Sequence, residues 1–553
     1  MRWIPLLLLA AVVACAPSAA RAADAIDAAA WRADLDRIAT ELPARHPNLF
    51  HRMTRASWDS AVTDIGKRLP GMNRDQAIVS FMKLVALARD GHTAINPVFD
   101  VALGFRYYPL ELYAYDDGLF VRSAAPAQAS LVGAKVVKIG RATADAALAA
   151  AGTTIPSENE WWMRTWAPER VMVPEVLDGL GLVDDMEKLP IVVERNGKQE
   201  TVVISPAGKY APRGHDPRAA VDRTGWVEQK GSGEAPLRLR RPQDPYWFEY
   251  LDTQKTLYVS YRMVLDRPGA PGSNVAFWRS VFAATDSLKP EKLVIDLREN
   301  IGGNNFFNRQ VVRGIIRRAE LDRKDRLFVM IGPRTFSAAM NLATDLERWT
   351  NATFVGAPTG NATFFYGDHD EVVLPNSKIK VMVSTLPWRP YDPRDKRDFI
   401  APALYAPLTS GDDRVGRDPV MDAIQAYGKT PPFTEALEKA AVAGDIAAVV
   451  AQLKAETGKV ANRFRSVEAD ANTLGYSLMN SGRGSAALIV FQANTRAYPR
   501  SANAWDSYGE ALMLASQHKD AVAAYQRALE LDPQKESSRQ ALARLSGNAP
   551  AGH

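Results

Sequence analysis

The chain has 553 residues, 46% hydrophobic and 24% charged, the balance of a protein that buries cores, and at roughly 100–200 residues per domain it predicts about three to five domains. Lysine and arginine total 68 against 63 aspartates and glutamates, and the resulting +5 is spread out with no basic block and no aromatic interleaving. This excludes nucleic acid as the implied partner. The only long apolar run is Trp3 to Ala16, which excludes a bundle of membrane-spanning helices.

That run follows Arg2 and leads into alanine-rich sequence, so residues 1–22 read as a secretory signal peptide cut after Ala20-Arg21-Ala22. Cys15 is the single cysteine. Its removal leaves a mature chain without disulfides, thiolate metal sites or cysteine nucleophiles. A second reading takes Val12-Val13-Ala14-Cys15 as a lipobox, with Cys15 lipidated and the protein held at a membrane. Either way the chain is expected outside the cytoplasm, periplasmic or extracellular.

Residues 23–103 read as a helical region. Ile78, Phe81, Met82 and Val85 form one apolar stripe at i, i+3, i+4 and i+7 that runs up to Asp90-Gly91-His92-Thr93. Gly91 serves as a helix stop and leaves His92 just beyond the helix end. From 104 to 206 the runs are short and β-rich, with a helical insertion around Asn159 to Asp185. Residues 207–244 are rich in Gly, Pro and charge without a period, and read as a linker. Across 245–428 strands and helices alternate: Leu257 to Tyr261, a helix from about Asn274 to Leu288, Leu293 to Asp296, Leu327 to Ile331, a helix from Ser337 to about Trp349, and Thr353 to Gly356. Such alternation predicts an α/β core with buried strands.

Residues 429–469 read as a helical connector. Residues 470–546 carry a 34-residue repeat that pairs Gly475 with Gly509, Ala487 with Ala521, Phe491 with Tyr525 and Pro499 with Pro533. Period and residue types match tetratricopeptide repeats, which predicts two units, a final helix from about Gln534 to Leu545 and a concave groove for a protein partner.

Chemistry concentrates in two turns of the 245–428 region. Asp296-Leu297-Arg298-Glu299-Asn300-Ile301-Gly302-Gly303 ends a buried strand in paired glycines, which let a backbone approach a ligand and aim its N–H groups. In Gly332-Pro333-Arg334-Thr335-Phe336-Ser337-Ala338-Ala339 a serine stands where a strand turns into a helix. Its hydroxyl is held rigidly there, and the helix N-terminus suits a developing oxyanion.

With Phe354-Val355-Gly356-Ala357-Pro358-Thr359-Gly360, these turns resemble, in order, three motifs of the C-terminal processing peptidase and tricorn-core family of serine peptidases. The resemblance spans about residues 30 to 427. It implies a multidomain α/β protein with a crotonase-like core of stacked ββα units, and makes 104–206 look like a PDZ-like module that presents a peptide strand by β-augmentation. Processing peptidases use a Ser-Lys dyad, but the position 25 residues beyond Ser337 is Ala362, and no lysine stands between Ser337 and Pro375. The tricorn-like branch uses a histidine of the helical region in a His-Thr motif. Asp90-Gly91-His92-Thr93 looks like that motif, although Gly91 stands where the branch has a serine. His46, His51, His215, His369, His518 and His553 lie in no comparable context.

The resemblance implies Ser337 as nucleophile, His92 as base and the Gly303 and Ala338 amides as oxyanion hole. A supporting carboxylate is expected downstream, with Asp395 as candidate and Asp392 in reserve; the family's Pro-Asp nearby is Pro402-Ala403 here. No metal or organic cofactor is required. The expected partner is a peptide or protein substrate, with a membrane only if Cys15 is lipidated. An esterase, or a non-catalytic scaffold that binds through its repeats, is the alternative.

Overall fold

Leu257, Val259, Ile295 and Val329 alternate along their strands with Tyr258, Val294, Phe328 and Met330, and both sets are apolar. A strand of this kind must be covered on both faces. In the computed structural model, which describes residues 26–98, 100, 103–211, 221–229, 234–389 and 392–546, they form the centre of a six-stranded sheet. Its order is Tyr246–Leu251, Thr256–Tyr261, Lys292–Asp296, Leu327–Ile331, Thr353–Gly356 and Leu404–Tyr405. The first pair is antiparallel and the rest are parallel. Helices Ser273–Leu288, Asn308–Ile316 and Ala338–Trp349 make the crossovers. One face packs Leu257, Val259, Ile295 and Val329 against Trp278, Val311 and Leu342. The opposite face packs Tyr258, Val294, Phe328 and Met330 against Val420 and Ile424 of helix Pro419–Ala426. Only the first unit is ββα; the next two are βα, since one strand per crossover suffices once the sheet runs parallel.

The signal-peptide segment, Cys15, His215 and His553 lie outside the described residues. No helix among the described residues is long and apolar enough to cross a membrane.

Before the core come helices Ala28–Arg45, Arg55–Arg68 and Arg74–Ala86. Asn73 caps the third with a reciprocal bond to Gln76, and its expected stripe, Ile78, Phe81, Met82 and Val85, is fully buried. The hairpin Phe365–Val373 with Lys380–Trp388 leaves the core and inserts Val372, Val381 and Val383 into that helical cluster. A bridge between Ala94 and Met382 joins the two. This reach of the hairpin carries the segment after Ala86 to the core.

The β module is a seven-stranded sheet built on Leu110–Tyr115, Gly118–Ala124, Lys135–Ile139, Leu189–Arg195 and Lys198–Ile204. Helices Glu160–Arg170 and Pro174–Gly179 are the expected insertion. Residues 207–244, read as a linker, contribute Val227–Glu228 to this sheet and Gly208–Lys209 to a pair with Arg106–Tyr107. Their sequence lacks a strand period because each contact is only two residues long.

Seven helices from Phe433 to Leu545 follow the core. In the repeats a Cβ on Gly475 would lie 2.6 Å from the Phe491 ring, and one on Gly509 would lie 2.8 Å from Tyr525. Each glycine is therefore the hole for the aromatic 16 residues on, and the repeat is a packing unit. The connector does more than space these helices from the core. The Phe464 ring sits 5.2 Å from Tyr405, 6.0 Å from Phe399 and 6.1 Å from Trp161.

Candidate active site

The serine turn is held from three sides. Thr335 Oγ donates to Leu297 O (2.9 Å) and accepts from the Gly332 amide (3.0 Å). The Phe336 amide donates to Asn300 O (3.1 Å), and the Ser337 amide donates to Asn361 Oδ1 (2.6 Å). The result is φ 54°, ψ −125° at Ser337, a conformation that costs roughly 1–3 kcal/mol for a non-glycine residue and persists only where its surroundings enforce it. It lifts the side chain out at the N-terminus of Ala338–Trp349.

The paired-glycine turn lies directly against it. A Cβ on Gly302 would stand 2.6 Å from Ser337 Cβ and 2.9 Å from the Ala338 nitrogen, so only glycine fits. Asn300 shapes this turn by accepting from the Gly302 amide and donating to Tyr261 O. Arg298 anchors it through Asp296 and Asp418, both partners within 2.6 to 3.0 Å. Among the described residues the Gly303 and Ala338 amides donate to no protein acceptor. Two free N–H groups beside a serine at a helix N-terminus can stabilise an oxyanion.

His92 lines the same cleft, of 1180 Å³, with Ser337, Gly302, Gly303 and Phe336. Its ring is stacked between Phe336 (4.5 Å between centroids) and Phe365 (5.7 Å), and Phe336 is backed in turn by Trp162 at 3.9 Å. Burial lowers the His92 pKa below the ordinary 6.5, against the charge of Asp90, which raises it. His92 Nδ1 is buried without a hydrogen-bond partner, 4.0 Å from Asp90 Oδ1.

Asp90 is fully buried. Its carboxylate accepts from the His92 amide (3.0 Å), Thr93 Oγ (2.6 Å) and His46 Nε2 (3.1 Å). The His46 tautomer is determined by its other nitrogen: Nδ1 accepts from the Asn48 amide at 3.0 Å, so Nε2 carries the proton. Burial alone pushes the Asp90 carboxyl up, but His46, the adjacent His92, Ser384 and Thr93 outweigh it and hold the group below its ordinary value. Glu158 lies next to this pair. Burial and the Asp90 charge push its carboxyl up to about 8.

The structure brings Ser337, His92, Gly303 and Ala338 together, but not the expected carboxylate. Asp395 is bound by Arg397, which also holds Glu347, and Asp392 is bound by Arg394. Neither lines the cleft; an arginine two residues on takes up the negative charge that each was expected to offer the imidazole. The carboxylate beside His92 is Asp90. It precedes His92 by two residues, yet nothing in the sequence distinguishes it from a helix-terminal aspartate. Asn361 also escapes sequence reading. It stands next to Ala362, where the dyad lysine would be, and its fully buried side chain serves the serine turn. Asn361 sits in an Asn-Ala-Thr tripeptide, and its burial disqualifies it as a glycan acceptor. A serine at Gly91 has no room, because its Cβ would lie 2.7 Å from the Phe336 ring.

No protein-family model and no curated protein sequence matches this chain. Solved structures do. A point mutant of CPAF is similar over 72% of this chain and 96% of its own at 12% identity, with a TM-score of 0.53. Mature CPAF complexed with lactacystin is similar over 72% and 98%, also at 12% identity, with a TM-score of 0.50. The photosystem II D1 C-terminal processing protease matches over 70% and 98% at 13% identity, with a TM-score of 0.34. At this level of identity the likeness is one of fold: the chain has the mixed α/β fold of CPAF.

Proposed function

We propose that this chain is an exported serine peptidase in which Ser337 attacks a peptide carbonyl and His92 takes and returns the proton. One observation carries the reading. A serine held at positive φ on a helix N-terminus, a mostly buried imidazole and the unused Gly303 amide line one cleft, and the unused Ala338 amide opens the helix directly after the serine. A merely structural serine needs none of these.

In this mechanism His92 Nδ1, 4.0 Å from Asp90 Oδ1, is turned to the carboxylate, and Nε2 is the nitrogen assigned to the Ser337 hydroxyl. As the hydroxyl proton moves to Nε2, the imidazolium forms 4.0 Å from the Asp90 carboxylate, which stabilises it. The Gly303 and Ala338 amides receive the oxyanion, and His92 then protonates the leaving amine. The stack of Trp162, Phe336 and Phe365 keeps the imidazole plane in place through both transfers. The β module, read as PDZ-like, supplies a strand edge for unfolded or C-terminal segments, and the helix pairs of 470–546, read as tetratricopeptide repeats, supply a groove for a partner. Export rests on the signal-peptide pattern of residues 1–22.

A fluorophosphonate probe is expected to label wild-type chain at Ser337, and Ser337→Ala to abolish both labelling and peptide hydrolysis with unchanged far-UV circular dichroism. Hydrolysis that survives in the variant overturns the assignment.

A further inference from the structure

Three donors meet at the Nδ1 edge of His92. Asp90, His92 and Glu158 each offer one ligand atom, all within 4.8 Å of one another, and this is the one such group among the described residues. Glu158 is 1% exposed. Its Oε1 accepts from the Gly91 amide at 3.2 Å, while Oε2 is buried with no partner at all. His92 Nδ1 is the second buried orphan of the group. Neither the Asp90 nor the Glu158 carboxylate forms an ion pair with an arginine or lysine among the described residues; Arg52 reaches only the Glu158 main-chain oxygen, at 3.1 Å, and pairs with Asp398.

Buried carboxylate oxygens and ring nitrogens without partners are expensive, and proteins leave few of them. A side chain at position 91 could not fill the gap, since a Cβ there would lie 2.7 Å from the Phe336 ring and 3.2 Å from Glu158 Oε2. A proton on Glu158 satisfies one of these atoms at a time, whereas a divalent cation satisfies the two carboxylates and the imidazole lone pair together.

We propose that Asp90, His92 Nδ1 and Glu158 form a binding site for a divalent transition-metal cation of the zinc class, and that its occupation switches the imidazole off. One imidazole nitrogen and two carboxylate oxygens suit Zn²⁺, whereas Mg²⁺ and Ca²⁺ prefer sets made of oxygen alone. Three protein ligands leave a fourth position for water.

The switching half rests on the peptidase reading; the site itself does not. A neutral imidazole carries one proton. A cation on Nδ1 places that proton on Nε2, the nitrogen that must accept from Ser337, so the loaded site has no general base. Removal of the cation returns the proton to Nδ1 and frees Nε2.

The test uses the full-length chain without an affinity tag, in metal-stripped buffer. Co²⁺ is expected to give the visible absorption of one tetrahedral site per chain, bleached by one equivalent of Zn²⁺. Competition against a chromophoric chelator is expected to show Zn²⁺ binding at least tenfold weaker in Glu158→Gln. Equimolar Zn²⁺ should suppress fluorophosphonate labelling of Ser337 in the wild type, and EDTA should restore it. No cobalt band in the wild type, or equal zinc affinity in both proteins, overturns the site without reference to activity. Tight zinc binding with undiminished labelling overturns the switch.

Discussion

Replacing Asp90 with asparagine separates the carboxylate next to His92 from the one expected downstream. The substitution keeps shape and an acceptor for His46 Nε2 but removes the charge 4.0 Å from His92 Nδ1. Two unit charges at about 4 Å interact by about 4 kcal/mol at an effective dielectric of about 20. At about 1.4 kcal/mol per decade this is a ceiling of about three orders of magnitude in rate. Thr93, His46 and the His92 amide already share the charge, so a loss of roughly one to three orders in kcat is expected. The pH profile adds a readout that lost stability would not mimic. Asp90 raises the His92 pKa and burial lowers it, so without the carboxylate the imidazole deprotonates at lower pH. The acid limb of kcat/KM should therefore move to lower pH while the plateau falls. Because burial outweighs Asp90 and lowers the His92 pKa, the wild-type limb is itself expected on the acid side of an ordinary histidine's. The assay is steady-state hydrolysis of an unstructured peptide from pH 4 to 9, with Asp395→Asn as the control. If Asp90→Asn stays within threefold of wild type and the control loses a hundredfold, the supporting carboxylate has been misassigned.

Asn361→Ala leaves the Ser337 amide without its 2.6 Å acceptor; an unsatisfied buried donor costs about 1–3 kcal/mol, so kcat should fall ten- to hundredfold with KM unchanged, and an equal fall in thermal stability without a kcat effect would refute its role at the serine turn. Gly91→Ser would drive a Cβ to 2.7 Å from a Phe336 ring clamped between Trp162 and His92; activity should drop at least tenfold, and a gain would show that a serine relay can be accommodated after all. A chain ending near Gly428 loses Phe464 from its contacts with Trp161, Phe399 and Tyr405 and should unfold at lower temperature by the burial of about one aromatic side chain, about 1.5–3 kcal/mol. One ending after Arg465 keeps that contact and should cleave a short peptide at the full-length rate; inactivity of both would mean that the repeats themselves complete the site.

What could be read without coordinates was whatever repeats or stays local. The apolar stripe of Ile78, Phe81, Met82 and Val85, the alternating strands from Leu257 to Ile331 and the glycine-aromatic spacing of the last helices each express burial at a regular period, and each is found at the expected place. Ser337 and the paired glycines were legible too, because a strained turn admits few residue types. The two-residue strand pairings inside 207–244 were not, for so short a contact leaves no pattern.

The choice among charged residues could not be made from order in the chain. Asp90, Glu158, Asp392 and Asp395 are four acids in polar-looking sequence, and their sequence neighbours do not say which of them an arginine has already claimed. Folding sets Arg397 on Asp395 and Arg394 on Asp392, and sends the hairpin Phe365–Val373 with Lys380–Trp388 across to the helical region, so that Asp90 and Glu158 meet His92 with no arginine between them. The sequence by itself determined the elements and the strained serine turn, since those depend on local sterics and periodic burial. Only the tertiary structure decided the carboxylate, the partner of the Ser337 amide and the imidazole's aromatic clamp, because electrostatic and packing partners are matters of distance in space, and here they come from segments as far apart as His92 and Phe365, 273 residues.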